Sequence, residues 1–187
     1  MILVRHGESA FNVVYGATRR DPGIEDPELT TNGEEQAHRA GRRLAELGIE
    51  RLIVSPYTRA LQTAERVETY LSAEIEIDPL VRERCAFSCD LGTVGSELAR
   101  RWPRHRFEHV EENWWGEIEE SEASVKRRSD IFRDRIAEAG NWQRIAVVTH
   151  WGFIRALTGI EAANGALVRF DPAREAQPGE LVPAVET

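Results

Sequence analysis

Two histidines in this chain each stand directly behind a short apolar run, 144 residues apart. The stretch ILVRHGESAFN (residues 2–12) delivers Arg5, His6 and Gly7, and IAVVTHWG (145–152) delivers His150. A third run, RLIVS (51–55), is followed by Pro56 and then by Arg59. An imidazole can act as a nucleophile, a base or a hydrogen-bond donor. A guanidinium offers a planar fork of donors suited to an oxyanion. Two imidazoles and two guanidiniums with no acidic cluster beside them are a poor metal site. They form a pocket for a tetrahedral dianion, and phosphate is the natural occupant.

The three runs must be the elements that bring these groups together. Each is too short for a helix, is almost wholly apolar and is bounded by polar or turn residues, as expected of buried parallel strands. Ligands of open α/β sheets bind beyond the carboxyl ends of the strands, so Arg5, His6, Arg59 and His150 are expected on one rim. Between the runs lie helical patterns. One covers 31–47, with Ala37, Ala40, Leu44 and Leu47 on a face and Gly48 as its stop. A second covers 57–71, opened by Ser55 as an N-cap before Pro56. A third spans 122–139, with Val125, Ile131, Phe132 and Ile136 as its apolar residues and Gly140 after it, and a fourth starts near Gly152. A short helical piece is read at 95–101, and the last 16 residues, from Pro172, read as a flexible tail. Strands alternating with helices predict a three-layer α/β/α sandwich around a mostly parallel sheet.

Composition narrows the function. The chain has 187 residues, enough for one domain, here expected over 1–171. Its 24 Lys and Arg against 32 Asp and Glu give a net charge of −8, which argues against a nucleic-acid partner. Only Lys126 among the cations is a lysine. No apolar run approaches the roughly 20 residues of a membrane span, and Arg5 cuts the first run too short for a secretion signal. A cytoplasmic location and no membrane partner are expected. Cys85 and Cys89 read as free thiols. His105 and His109 are spaced for a metal on a helix, but without a third ligand they read as a surface turn.

In order along the chain, LVRHGES, LTTNGEEQA, SPYTRALQTAE, VRE at 81–83 and VVTHWGFIRAL resemble the histidine phosphatase superfamily, the phosphoglycerate mutase-like proteins. The resemblance covers nearly the whole chain. It implies that His6 is the nucleophile and carries a phosphohistidine intermediate. It implies further that Arg5, Arg59 and His150 hold the equatorial oxygens, with His150 useful as an imidazolium, and that Asn12 is another phosphate donor. Flanking cations should keep the His6 imidazole neutral, and a carbonyl near Gly7 should fix its tautomer. Glu83 matches the general acid, while Glu8, its nearest rival, suits a structural acceptor. No metal or cofactor is implied.

Mutases of this family carry RHYG after the catalytic Glu, where this chain reads RCAFSCDLG (84–92). That departure favours a metal-independent phosphomonoesterase acting on a small phosphorylated substrate. A mutase and a non-catalytic phosphate-ester-binding module are the alternatives. Residues 79–120 look like the family's variable cap. There Trp114 and Trp115 suit either an apolar wall or core packing. Trp151 replaces a residue that is often small, so it either narrows the entrance or packs away from it. Cys85 and Cys89, near Glu83, raise the question of redox sensitivity. An exposed edge strand or the Trp-bearing cap could mediate a homodimer.

Overall fold

A computed structural model describes residues 1–174 and 178–183. In chain order the elements are β1 (Ile2–Arg5), α1 (Ala10–Thr18), α2 (Thr31–Glu46), β2 (Arg51–Val54), α3 (Thr58–Glu68) and β3 (Glu74–Ile77). They continue with α4 (Gly95–Arg101), α5 (Glu122–Glu138), β4 (Ile145–Thr149), α6 (Trp151–Thr158), β5 (Leu167–Arg169) and β6 (Glu180–Leu181). The strand order is β3-β2-β4-β1-β5-β6. β1 to β4 are mutually parallel, and β5 runs antiparallel to β1. The sheet is therefore mostly parallel.

Alternation along the strands sorts the core into two halves. Ile2, Val4, Leu52, Val54, Ala146 and Val148 face one side, where α2 and α3 cover them. Leu3, Ile53, Ile145 and Val147 face the other, against Phe132 and Ile136 of α5 and Phe153 and Ile154 of α6. Helices on both faces of one sheet make the three-layer sandwich. Each large apolar side chain buried this way contributes about 1.5–3 kcal/mol. The chain leaves β1 toward the first face and leaves β4 toward the second. The crevice between the ends of these neighbouring strands is thus a topological switch point, where such folds bind ligands.

Several expectations need correction or refinement. The helix after β2 is N-capped by Tyr57 rather than Ser55, whose hydroxyl is committed elsewhere, and it ends at Glu68 rather than 71. Ile131 in α5 is 59% exposed, because the α5 stripe facing α6 runs through Val125, Phe132 and Ile136. The C-terminal stretch is not simply a tail. Glu180 and Leu181 pair with Arg169 and Val168, adding a strand to the sheet edge, while 175–177 and 184–187 lie outside the described residues. α1 and β5 are too short to show a clear period in the sequence, whereas β3 (EIEI) alternates polar and apolar residues and carries a strand signal that went unnoticed.

Residues 79–120 divide in two. Leu98, Trp102, Phe107, Val110 and Trp114 join the core on the α2–α3 side. Trp114 packs edge-on against Tyr57 (ring centroids 4.6 Å apart), and its indole N–H donates to the Thr93 carbonyl at 2.8 Å. Trp114 and its half-buried neighbour Trp115 are core packing, and neither lines the cavity described below. The expected surface turn keeps Arg104, Arg106 and His109 exposed, while His105 turns inward. His105 is 7% exposed at its side chain, and His109 Nε2 bonds the Ile77 carbonyl at 2.7 Å. Among the described residues no three His, Cys, Asp or Glu side chains are grouped to hold a metal ion.

Candidate active site

The register of β1 against β4 pairs Arg5 with Thr149, so the next residue on each strand is a histidine. The two imidazole centroids are 5.0 Å apart. His6 continues the ladder by donating its N–H to the Thr149 carbonyl at 3.0 Å. Its ring is 3% exposed, with Nδ1 2.6 Å from the Gly7 carbonyl. A carbonyl can only accept, so Nδ1 carries the proton and Nε2 keeps a free lone pair. The expected carbonyl is that of Gly7 itself. Gly7 is needed for a close approach, since a Cβ there would lie 2.2 Å from the carbonyl oxygen of Gly33 in α2.

Burial is the first cause holding the His6 pKa well below its ordinary value, and the Arg59 and Arg5 cations push the same way. The ring is neutral at pH 7. His150 is likewise depressed, by burial first and then by Arg59. The imidazolium expected against phosphate is thus not the favoured form of the free protein, because a fully buried ring beside cations does not carry a proton cheaply. His150 Nε2 shares a 2.7 Å hydrogen bond with Ser55 Oγ, and Nδ1 is buried without a partner. Tyr57 packs edge-on against this ring, 5.0 Å away. The His150 ring is fully buried beside that of His6.

A cavity of about 530 Å³ opens in front of His6 and is also lined by Arg5, Asn12, Arg59 and Glu83. Arg5 donates through Nη1 to the Ala162 carbonyl at 2.8 Å, and its buried Nε has no partner. Asn12 sits in the first turn of α1, with Oδ1 accepting from Ser9 and from Asn164 Nδ2 at 3.1 Å. Its NH₂ end takes no part in these bonds. Arg59 is 2% exposed and donates to the Cys89 carbonyl (2.7 Å) and to Asp90 Oδ1 (3.1 Å). Glu8 is a structural acceptor, as expected, bonding the Thr30 hydroxyl at 2.7 Å.

Asp90 went unnoticed in the sequence, where Cys-Asp-Leu-Gly reads as an ordinary turn. Its Oδ1 pairs with Arg59, and its Oδ2 accepts the backbone N–H groups of Ala86 and Phe87, each at 3.1 Å. One carboxylate thus fixes a guanidinium and shapes the loop that walls the cavity. The signal that could have exposed it is an Asp placed to bond backbone N–H groups three and four residues earlier.

Glu83 lines the same cavity. Its Oε1 accepts from the N–H of Arg84 (2.8 Å) and of Gly152 (2.9 Å), the latter in the first turn of α6. A Cβ on residue 152 would come within 2.4 Å of Oε1, so the glycine makes room for the carboxyl. Burial, then the nearby Asp90 charge, raise the Glu83 pKa, against the opposing pull of the Arg84 N–H and the two arginines.

The main chain leading to Glu83 is a single 3₁₀ turn (Pro79–Val81) followed by irregular chain, and side chains satisfy its carbonyls. Arg128 of α5, 6% exposed, donates to the carbonyls of Leu80 (3.0 Å), Arg82 (2.7 Å) and Glu83 (3.0 Å). Thr149 Oγ1 takes that of Val81 at 2.6 Å. Glu120 pairs with Arg128 at 3.0 Å and with Arg82 at 3.2 Å. Cys85 and Cys89 are buried and unbridged. Burial raises both thiols, Cys85 to about 11, which lowers their thiolate fraction near neutral pH. Trp151 is on the cavity wall rather than packed away from it, with the Arg155 guanidinium over its ring at 5.2 Å.

A neutral imidazole with a free lone pair, a group of guanidiniums and a buried carboxyl with a raised pKa are together suited to phosphoryl transfer. A family model for the histidine phosphatase superfamily (branch 1) matches residues 1–171, and the chain belongs to that superfamily. The probable phosphoglycerate mutase GpmB of Erwinia tasmaniensis is 41% identical over 81 residues, covering 43% of this chain and 36% of that protein. The chain therefore matches only about a third of the length of that relative. Among solved structures, a putative alpha-ribazole-5'-P phosphatase from Escherichia coli has a TM-score of 0.65 at 20% identity, covering 100% of this chain and 98% of that one. A mycobacterial glucosyl-3-phosphoglycerate phosphatase gives 0.64 at 19%, covering 97% and 95%. Phosphoserine phosphatase from Entamoeba histolytica gives 0.61 at 18%, covering 100% and 96%. At these identities the likeness is one of fold. No helix among the described residues is long and apolar enough to cross a membrane.

Proposed function

We propose that the protein is a phosphomonoester hydrolase that works through a phosphohistidine on His6 and needs no metal ion. The observation that carries this reading is a neutral His6, its Nδ1 proton tied to Gly7, sharing one cavity with the buried carboxyl of Glu83. His6 Nε2 attacks the phosphorus in line as the bond to the ester oxygen breaks. Glu83 gives its proton to the departing alkoxide. The Glu83 carboxylate then takes a proton from water, which attacks the phosphohistidine and releases inorganic phosphate with His6 restored.

Arg5, Arg59 and Asn12 are assigned the equatorial oxygens, where charge gathers in a loose transition state. His150 is assigned a supporting hydrogen bond to the same phosphoryl group, through the Nδ1 that has no other partner. With Ser55 donating to Nε2, this atom bears the proton, so a neutral ring suffices. The names of the 41%-identical relatives favour a mutase as the second reading.

Phosphate release from a panel of monoesters in EDTA tests the proposal, with His6→Ala as control. We expect release that is insensitive to EDTA and lost in the variant. Undiminished release by His6→Ala would remove the nucleophile assignment, and metal-dependent activity would remove the metal-free mechanism. With 3-phosphoglycerate and 2,3-bisphosphoglycerate, interconversion of isomers without phosphate release would instead establish the mutase.

A further inference from the structure

Beyond the phosphate-binding groups, the same cavity has an aromatic face. Phe11 and Tyr15 of α1 stack with centroids 5.3 Å apart and an interplanar angle of 14°. Phe87 closes on both, at 5.8 Å and 5.1 Å. All three line the cavity that holds His6 and Glu83. Phe11 is buried, but Phe87 is 38% exposed, and among the described residues the Tyr15 hydroxyl has no hydrogen-bond partner. A cluster serving only to pack would bury its outer ring.

The position of this face is fixed relative to the phosphate-binding cations. Phe87 N–H and Arg59 Nη2 bond the two oxygens of the same Asp90 carboxylate. The next residue, Ser88, is fastened to Asp21 by its backbone N–H (2.8 Å) and its hydroxyl (2.5 Å). The loop therefore has little freedom to carry Phe87 away from the cavity.

Three rings could receive either a flat neutral ring or a quaternary ammonium. Charge decides between them. Arg5, Arg19, Arg59 and Arg84 line the cavity, and Arg19 already lies over the Tyr15 ring at 6.0 Å. Of the acids on the wall, Asp90 is paired with Arg59, Glu161 lies 3.7 Å from Arg155, and Glu83 is the proton donor of the proposed reaction. Arg59 is offset by Asp90, and Arg84 lies 3.6 Å from Glu122. Arg5 and Arg19 have no ion-pair partner among the described residues, so a cationic leaving group would enter against net positive charge. We infer that the site takes phosphate monoesters whose alcohol carries an uncharged aromatic ring, seated on Phe11, Tyr15 and Phe87. This rests on the phosphomonoesterase reading and adds the class of leaving group.

The test compares 2-phenylethyl phosphate, ethyl phosphate and phosphocholine. The phenylethyl and ethyl esters release alcohols of nearly equal acidity, so their rates differ through the group that is bound rather than through bond cleavage. Choline is the slightly better leaving group and so biases the comparison against the inference. We expect kcat/KM for the phenylethyl ester to exceed the other two by about tenfold or more, the scale on which an apolar pocket discriminates. Phe87→Ala and Tyr15→Ala should each lower the phenylethyl-to-ethyl ratio severalfold, and Phe87→Leu should lower it less. A ratio near one in the wild type, or a preference for phosphocholine, overturns the inference. Calorimetric binding of 2-phenylethylphosphonate against ethylphosphonate separates this failure from that of the parent reading. Tighter binding of the aromatic phosphonate without turnover of any ester sustains the aromatic subsite and removes the hydrolase. Equal binding of the two phosphonates overturns the subsite whatever the turnover.

Discussion

His6 and Glu83 face one cavity, but their main chains are held in opposite ways. His6 extends a buried strand, and its backbone N–H continues the β1–β4 ladder to the Thr149 carbonyl. Glu83 lies in irregular chain whose carbonyls are taken by side chains, three by Arg128 and one by Thr149. The floor of the site is thus positioned by secondary structure and the wall by a buried ion-pair network. Backbone ladders tolerate side-chain substitution well. A network concentrated on one guanidinium depends on that residue, since removing one member of a buried pair leaves the other uncompensated. The two halves meet at Asp90, which touches Arg59 on one side and the wall loop on the other.

Substitutions in each half sharpen this contrast. The largest effect is expected at the floor. Gly7→Ala drives a methyl group into the Gly33 carbonyl, costing about 3 kcal/mol of stability, measurable by urea unfolding, with loss of activity. A cost below about 1 kcal/mol would show that the floor can yield. Asp90→Ala, at the junction, frees Arg59 and the loop together, and kcat/KM should fall by about 10²–10³ for every ester. A loss confined to esters with poor leaving groups would place Asp90 in the wall alone.

The wall has its own signature. Glu83→Gln should slow alkyl phosphates by about 10² or more and p-nitrophenyl phosphate far less, because p-nitrophenolate leaves without a proton. Arg128→Met should show the same leaving-group dependence at about tenfold, with wild-type behaviour partly restored in Arg128→Lys. Equal slowing of all esters by Glu83→Gln would remove its role as the acid.

The smallest effect lies in stability against pH. His6 and His150 have folded pKa values below the ordinary 6.5, so below pH 6.5 the unfolded chain binds protons that the folded one refuses. Stability is therefore lost as pH falls, by about 1.4 kcal/mol per unit for each ring until its folded pKa is reached. Glu83 acts in the other direction. Its folded pKa is raised above 4.5, so its contribution is greatest at low pH and is lost as pH rises through the folded value. Two rings against one carboxyl leave a net acid-side decline, to be read from urea midpoints between pH 7.5 and 5.5. Replacing His150 with Asn should flatten it.

The contrast also explains what could be read from the sequence. Apolar runs ending in His6, His150 and Ser55 reveal the floor, because parallel strands have one carboxyl rim and register follows from burial. The wall stayed hidden, because Arg128 reaches its carbonyl partners across 45 to 48 positions with no periodicity to mark the contact. Glu83 came from resemblance alone, and Asp90 was missed among ordinary turn residues. The ligand-free state of His150 is hidden for a related reason: a motif carries no record of the desolvation that the folded environment imposes. Trp114, equally suited to two roles in the sequence, was decided by Tyr57, against which it packs.

The contact between Gly7 and Gly33 has a mechanical consequence. Each glycine presses main chain against main chain, with Gly33 as close to the Glu8 carbonyl as Gly7 is to that of Gly33. No side chain lies in that joint, so no rotamer change can loosen it. The carbonyl that orients the His6 ring belongs to Gly7 itself. The aim of the imidazole is thus set by a bearing without moving parts, whose tolerance is that of the peptide backbone.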